Sequence, residues 1–190
     1  GCLDNSVGAT IVAHIATTIQ PRHDTYYMFT FGEESPHEYE GANTLVNILR
    51  EKYVSPDLFI AVDVTHPETG EKKKTERVFA ENFSSKEIRE LFEDFTSPAF
   101  VARDKETEDE ACVFNDHSNG FAFGPVVFGD MHSHQCRGYE ADLKNAVTAL
   151  SEILEWERLD EIKKAYSLST YMHSCKVLGA STADERVKQL

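Results

Sequence analysis

Five side chains of the kind that hold a divalent cation stand along this chain in one recurring setting. They are Asp4 in Leu-Asp-Asn-Ser-Val-Gly, the adjacent Glu33 and Glu34, Asp63 in Ala-Val-Asp-Val-Thr, and His132 in Met-His-Ser. Each lies at the end of an apolar run, where a strand hands over to a loop. In an open α/β sheet the crevice outside the carboxyl ends of the strands is where ligands bind. Zinc is held by imidazole nitrogen and carboxylate oxygen, and a catalytic zinc keeps one position for water. Two ions about 3.5–4 Å apart, bridged by a carboxylate, clamp both the attacking and the leaving atoms of a hydrolysis. Such a reaction also needs a carboxylate off the metal to take the proton from water. Glu33 and Glu34 suit that division of labour, because neighbours on an extended backbone point to opposite sides.

Each residue also has a plainer reading. Asp4 or Asn5 before a helix is a natural N-cap. Glu33 and Glu34 taken alone read as two solvated loop acids, His132 as a satisfied core histidine, and Lys72–Lys74 as a solvated turn. Asp63 resists dismissal most, since an ionised carboxylate at the end of a buried run is costly without a partner.

The elements that must position these groups follow from periodicity. Val7, Ile11, Val12, Ile15, Ala16 and Ile19 recur at helical spacing, which predicts a helix over about 6–20 ended by Pro21. Asp24–Phe31 is aromatic and β-rich and reads as a core strand. A loop with Gly32, Pro36 and Gly41 leads to a helix over about 42–53. Leu58–Val64, bounded by Pro56 and Pro67, reads as a strand buried on both faces. Residues 66–76 form a polar loop. Ser84 with Glu87 resembles a capping box opening a helix to about Phe95. Ala99–Ala102 and Ala111–Phe114 read as strands, and Phe121–Phe128 as loop plus one strand. A long helix spans about 140–156, with a short one at 159–166. The alternation of helix and strand implies an open, largely parallel sheet.

Composition narrows the function classes. At 190 residues the chain is long enough for one domain with a real core. A formal net charge of -14 argues against non-specific nucleic-acid binding, which needs Lys and Arg on phosphates. No apolar run approaches the roughly 20 residues of a membrane span, so no membrane partner is expected. The four cysteines, Cys2, Cys112, Cys136 and Cys175, form no Cys-x-x-Cys pair, which points to free thiols and a cytoplasmic setting.

Taken in order, Leu-Asp-Asn-Ser-Val-Gly (3–8), Phe-Thr-Phe-Gly-Glu-Glu (29–34) with Glu-Gly-Ala (40–42), Pro-Asp-Leu-Phe-Ile-Ala-Val-Asp-Val-Thr (56–65), and Met-His-Ser (131–133) with Asp-Leu-Lys-Asn-Ala-Val (142–147) form a series. That series resembles the co-catalytic zinc aminopeptidases related to glutamyl and tetrahedral aminopeptidases, within the dinuclear zinc exopeptidase superfamily. The resemblance covers roughly residues 3–155. It implies a three-layer α/β/α fold with a mostly parallel mixed sheet, truncated at its N-terminus. It implies catalytic-domain residues over 1–166, with 167–190 as a C-terminal extension. By resemblance Asp4 bridges two metals, Glu33 is the general base, Glu34 and His132 complete one metal site, and Asp63 belongs to the other. Zinc, as one or two ions, is the implied cofactor, with cobalt or manganese as substitutes, and a peptide is the implied substrate. A homo-oligomer is compatible with this reading.

Two departures from the family pattern set up the alternative. The family's further metal-binding histidine, in a His-x-Asp-like motif upstream of the bridging aspartate, has no counterpart here. Cys136 stands where the family's His-Ser-x-x-Glu places an acid; His66, His117 and His134 are nearby imidazoles that would have to substitute. A shortened, non-catalytic relative that binds metal or peptide, or acts as an assembly subunit, is the competing expectation. A plain α/β structural domain with coincidental acids ranks below both.

Overall fold

The structure is a computed structural model, and it describes residues 3–33, 39–66, 76–97, 99–107, 109–130 and 132–162. Residues through Trp156 belong to one compact unit, and the described residues 157–162 to a second. The expected boundary at residue 166 and the extension 167–190 lie outside the described residues, as do Glu34 and Lys72–Lys74.

The first unit is built from helices α1 (Ser6–Thr18), α2 (Glu40–Glu51), α3 (Lys86–Glu93), α4 (Ala111–Asn115) and α5 (Glu140–Glu155), and strands β1 (Leu58–Val62), β2 (Val78–Glu81), β3 (Phe100–Ala102), β4 (Asn119–Pro125), β5 (Val127–Phe128) and β6 (Arg137–Gly138). The main sheet runs β1-β4-β2-β3, and β5-β6 form a separate ribbon. β1 is parallel to β4 and β2 is parallel to β3, while β2 and β4 are antiparallel.

β4 is the middle of this sheet, and its sequence explains why. Asn-Gly-Phe-Ala-Phe-Gly-Pro alternates large and small, so Phe121 and Phe123 share one face while Gly120, Ala122 and Gly124 share the other. The large face meets aromatic rings: Phe121 lies 4.6 Å from Phe92 of α3, edge to face. Phe92 in turn lies 5.4 Å from Trp156 at the end of α5. The small face admits α4, whose Ala111 packs with Ala122 and with Ala61 of β1. Beside them Phe59 stacks on Phe114 at 4.5 Å. Helices therefore cover both sheet faces, as the three-layer expectation requires. α5 buries Ala146, Ala149, Leu150 and Ile153, and α1 buries Gly8, Ile11 and Ile15. α1 and α5 pack together, and α5 also contacts β2 and β4.

Several local expectations are corrected. Asp24–Phe31 joins no ladder, and Phe29 and Phe31 are 61% and 62% exposed. Its β-propensity describes how such residues fit a pleated half-buried surface, and here no neighbouring strand among the described residues supplies one. Ala111–Phe114 is helical, because the Asp109 carboxylate accepts the Ala111 N–H at 2.8 Å and Phe114 is drawn onto Phe59. β1 is half-buried over most of its length, since β4 is its one strand partner among the described residues. The cap of α3 is Ser85, whose Oγ accepts from Ile88 N–H at 3.3 Å, one residue beyond the expected Ser84. β2, fully buried, carried no recognised signal because a four-residue strand gives too few alternations to read.

Candidate functional site

Asp63 is the centre of the site. Past Val62 the β1 backbone keeps to β4, with Asp63 N–H bonded to Phe123 O at 2.9 Å and Thr65 N–H to Pro125 O at 2.9 Å. Asp63 is thus delivered at the carboxyl end of two parallel strands. Gly124 makes this possible, because a Cβ there would overlap the Asp63 carbonyl. The Asp63 carboxylate turns back to accept its neighbour's amide, Val64 N–H, at 2.6 Å.

Asp4 arrives from the start of α1. Asn5 is the N-cap, accepting Gly8 N–H at 2.8 Å, so Asp4 immediately precedes the first helical turn. The Asp4 side chain is 8% exposed, and its Oδ2 lies 3.3 Å from Nε2 of His132. His132 itself is 62% exposed and sits in the loop between β5 and β6. That loop is shaped by its own polar groups: Asp130 accepts the His132 amide at 3.3 Å and Ser133 Oγ–H at 3.1 Å. Gly129, at φ 91°, makes the turn leaving β5.

Glu33 follows the Asp24–Phe31 run. Phe31 O accepts Gly41 N–H at 2.8 Å, and a side chain at Gly41 would overlap the Phe31 backbone. The start of α2 therefore lies directly on the residues leading to Glu33. The three acids meet electrostatically at Asp63. Burial pushes its pKa up, and the negative charges of Glu33 and then Asp4 push it further, to about 9 against an ordinary 3.8. The Asp4 carboxyl also shares a hydrogen bond with it.

Asp4 thus lies beside His132 and hydrogen-bonds Asp63, the charge of Glu33 is felt at Asp63, and Glu34 lies outside the described residues. Among the described residues, no three His, Cys, Asp or Glu side chains form a group already arranged to hold a metal ion. The donor chemistry nevertheless fits a cation. A half-buried carboxyl pushed up to about 9, first by desolvation and then by the charges of Glu33 and Asp4, must either keep its proton or meet positive charge. The 3.3 Å between Asp4 Oδ2 and His132 Nε2 is also about the separation of two ligands on a tetrahedral zinc with bonds near 2.0–2.1 Å.

His117 and Cys136 are engaged elsewhere. His117 Nδ1 accepts from the Arg50 guanidinium at 2.9 Å, and the His66 carbonyl accepts from Arg103 at 3.2 Å. Cys136 is buried with Val64 and Val127, against Leu3 and Val7. It is a packing residue beneath the His132 loop. Two residues that sequence reasoning passed over shape the site: Gly124, and Asn5, read there as a cap alone. A Gly in a strand was the available signal for the first, since it marks close backbone approach.

No protein-family model matches the chain, and no curated protein does. Solved structures do share its fold. An aminopeptidase from the archaeon Desulfurococcus kamchatkensis matches at TM-score 0.66 and 16% identity, over 86% of this chain and 50% of that one. A TET aminopeptidase from a marine sediment archaeon of the Thaumarchaeota matches at TM-score 0.63 and 15% identity, over 85% and 49%. A TET peptidase of Pyrococcus horikoshii, which can assemble into a tetrahedron or a large octahedral shell, matches at TM-score 0.51 and 21% identity, over 67% and 39%. The chain spans about half the length of the first structures it matches. At these identities the likeness establishes an aminopeptidase-like α/β fold.

Proposed function

We propose that this chain carries the catalytic acids of a metal-dependent exopeptidase of aminopeptidase type, hydrolysing peptide bonds with Glu33 as general base. The observation that carries the proposal is the convergence of Glu33 and Asp4 on half-buried Asp63, at the carboxyl end of a sheet whose fold is shared with aminopeptidases. Asp4, which pairs with His132 and hydrogen-bonds Asp63, would be a ligand shared between the ions held there. His132, with Glu34, would complete one ion's set, and Asp63 would serve the other. Zinc bound there, or cobalt or manganese, would polarise the scissile carbonyl and activate water. Glu33 would accept that water's proton at its carboxylate and return it to the leaving amine. Gly124 and the β4 backbone fix the direction from which Asp63 points, and the Asp130–Ser133 turn fixes that of His132. The substrate would be a peptide docked by its N-terminus, in a cytoplasmic protein able to self-associate.

The test is Glu33→Gln. Zinc content should stay at the wild-type level while hydrolysis of an aminoacyl chromogenic substrate falls about 100-fold or more. Full activity in that variant removes Glu33 as the base.

A second reading is a non-catalytic relative that binds metal or peptide, or assembles with a partner. It is favoured by the lack of a ready three-ligand group among the described residues. Elemental analysis separates the two readings: two ions per chain support the enzyme, and none supports the relative.

A further inference from the structure

We propose that Asn5 is a positioning residue whose carboxamide clasps the start of α1 to the last carbonyl of β1, and so sets the spacing between Asp4 and Asp63. The proposal rests on reading those two carboxylates as a cation site.

A helix N-cap needs only an acceptor, and Ser, Asp and Asn supply it about equally well. Asn5 does more than cap. Its Oδ1 accepts Gly8 N–H at 2.8 Å, while its Nδ2 donates to Val62 O at 2.8 Å, across 57 residues of sequence. Asp4 immediately precedes Asn5, and Asp63 immediately follows Val62. One planar amide therefore joins two backbones at points one residue away from two carboxyl groups that share a hydrogen bond.

Gly8 is shaped for the same junction. A Cβ on Gly8 would overlap both Val62 O and the Asn5 carboxamide oxygen. The first turn of α1 thus lies directly on the end of β1, with the Asn5 amide filling the space between them. Leu3 and Val7 also pack against Val64 beside this junction, and the Asn5 carboxamide adds the directional tie between the two backbones. Ile11 and Ile15 anchor α1 further along its length, and the Asp63–Phe123 bond fixes β1 to β4. Groups that hold ligands in place typically cost 10- to 100-fold in metal affinity when they are removed.

Asn5→Ser tests the clasp, since serine keeps the capping acceptor and is too short to reach Val62 O. Ser85→Ala, which removes the cap of α3, is the comparison for a loss of helix capping alone. Two measurements are made on each: titration of the metal-free protein with Co²⁺ followed by visible absorption, and hydrogen exchange of the Asp63 and Val64 amides without metal. Asn5→Ser should bind cobalt about 10- to 100-fold more weakly than wild type and exchange both amides about tenfold faster. Ser85→Ala should match wild type in both measurements while melting at lower temperature. Wild-type cobalt affinity in Asn5→Ser overturns the proposal. If the wild-type protein takes up no cobalt, the cation-site reading fails on its own account, and unchanged exchange at both amides in Asn5→Ser then overturns the clasp.

Discussion

At the residue scale the chemistry turns on Asp63. Without a cation, the folded chain holds a proton on this carboxyl up to about pH 9, whereas the unfolded chain releases it near 3.8. Between those values the native state binds more protons than the unfolded state, so stability declines as pH rises, by up to about 1.4 kcal/mol per pH unit from this group. Below the lower value the contribution is fully present, and it is gone above the upper one. Zinc bound there would replace the proton and offset the decline. Urea midpoints at about pH 5 and about pH 8, with chelator and with zinc, should show the protein less stable at the higher pH only when chelated. Equal midpoints under chelation would mean that Asp63 is not buried among like charges. Gly124→Ala should disturb the same residue from the opposite side, because its methyl group takes the space of the Asp63 carbonyl. A loss of about 1–3 kcal/mol in chemical denaturation is expected, together with weakened zinc binding.

At the element scale, what could be read in advance depended on length and on who supplies the partner. α1 and α5 are long enough for their apolar stripes to repeat, and Ile11, Ile15, Ala146, Leu150 and Ile153 are buried as their spacing requires. Asp4, Glu33, Asp63 and His132 were read where a strand hands over to a loop; the structure pairs Asp4 with His132 and with Asp63, but Asp4 precedes a helix and Glu33 follows a run that forms no strand. The Asn5 tie was not legible, because a bond to a carbonyl 57 residues away leaves no local pattern. Val113 and Phe114 favour strands intrinsically, yet the Asp109 bond to the Ala111 N–H and the Phe59 stack settle Ala111–Asn115 as helix. The Tyr26–Phe31 run fails in the opposite way: its composition is that of a strand, but strands exist only as pairs. The aromatic side of the sheet is where elements hold one another most firmly. Phe92 is fully buried and meets Phe83, Phe100, Phe121 and Trp156. Phe92→Ala should cost about 3–5 kcal/mol in urea denaturation, enough to unfold much of a marginally stable domain.

At the scale of the whole molecule, the formal net charge of -14 is a self-repulsion that the fold must carry. Raising salt from roughly 20 to roughly 300 mM should raise the melting temperature by screening it. A divalent cation at the acid cluster should add stability beyond that of an equal ionic strength of monovalent salt. If magnesium, zinc and sodium act alike at matched ionic strength, no specific cation site is present.

The place of Asn119–Pro125 in the sheet also governs the order in which the protein can be made. β1 and β2 both lean on this strand, and neither touches the other. During synthesis Asp63 must therefore wait without its β4 neighbour until the Phe-Ala-Phe triplet emerges; among the described strands of the main sheet, only β2 and β3 can pair before then. Nascent-chain fragments ending just short of this triplet should remain open to protease, and those extending past the aromatic end of α5 should resist it.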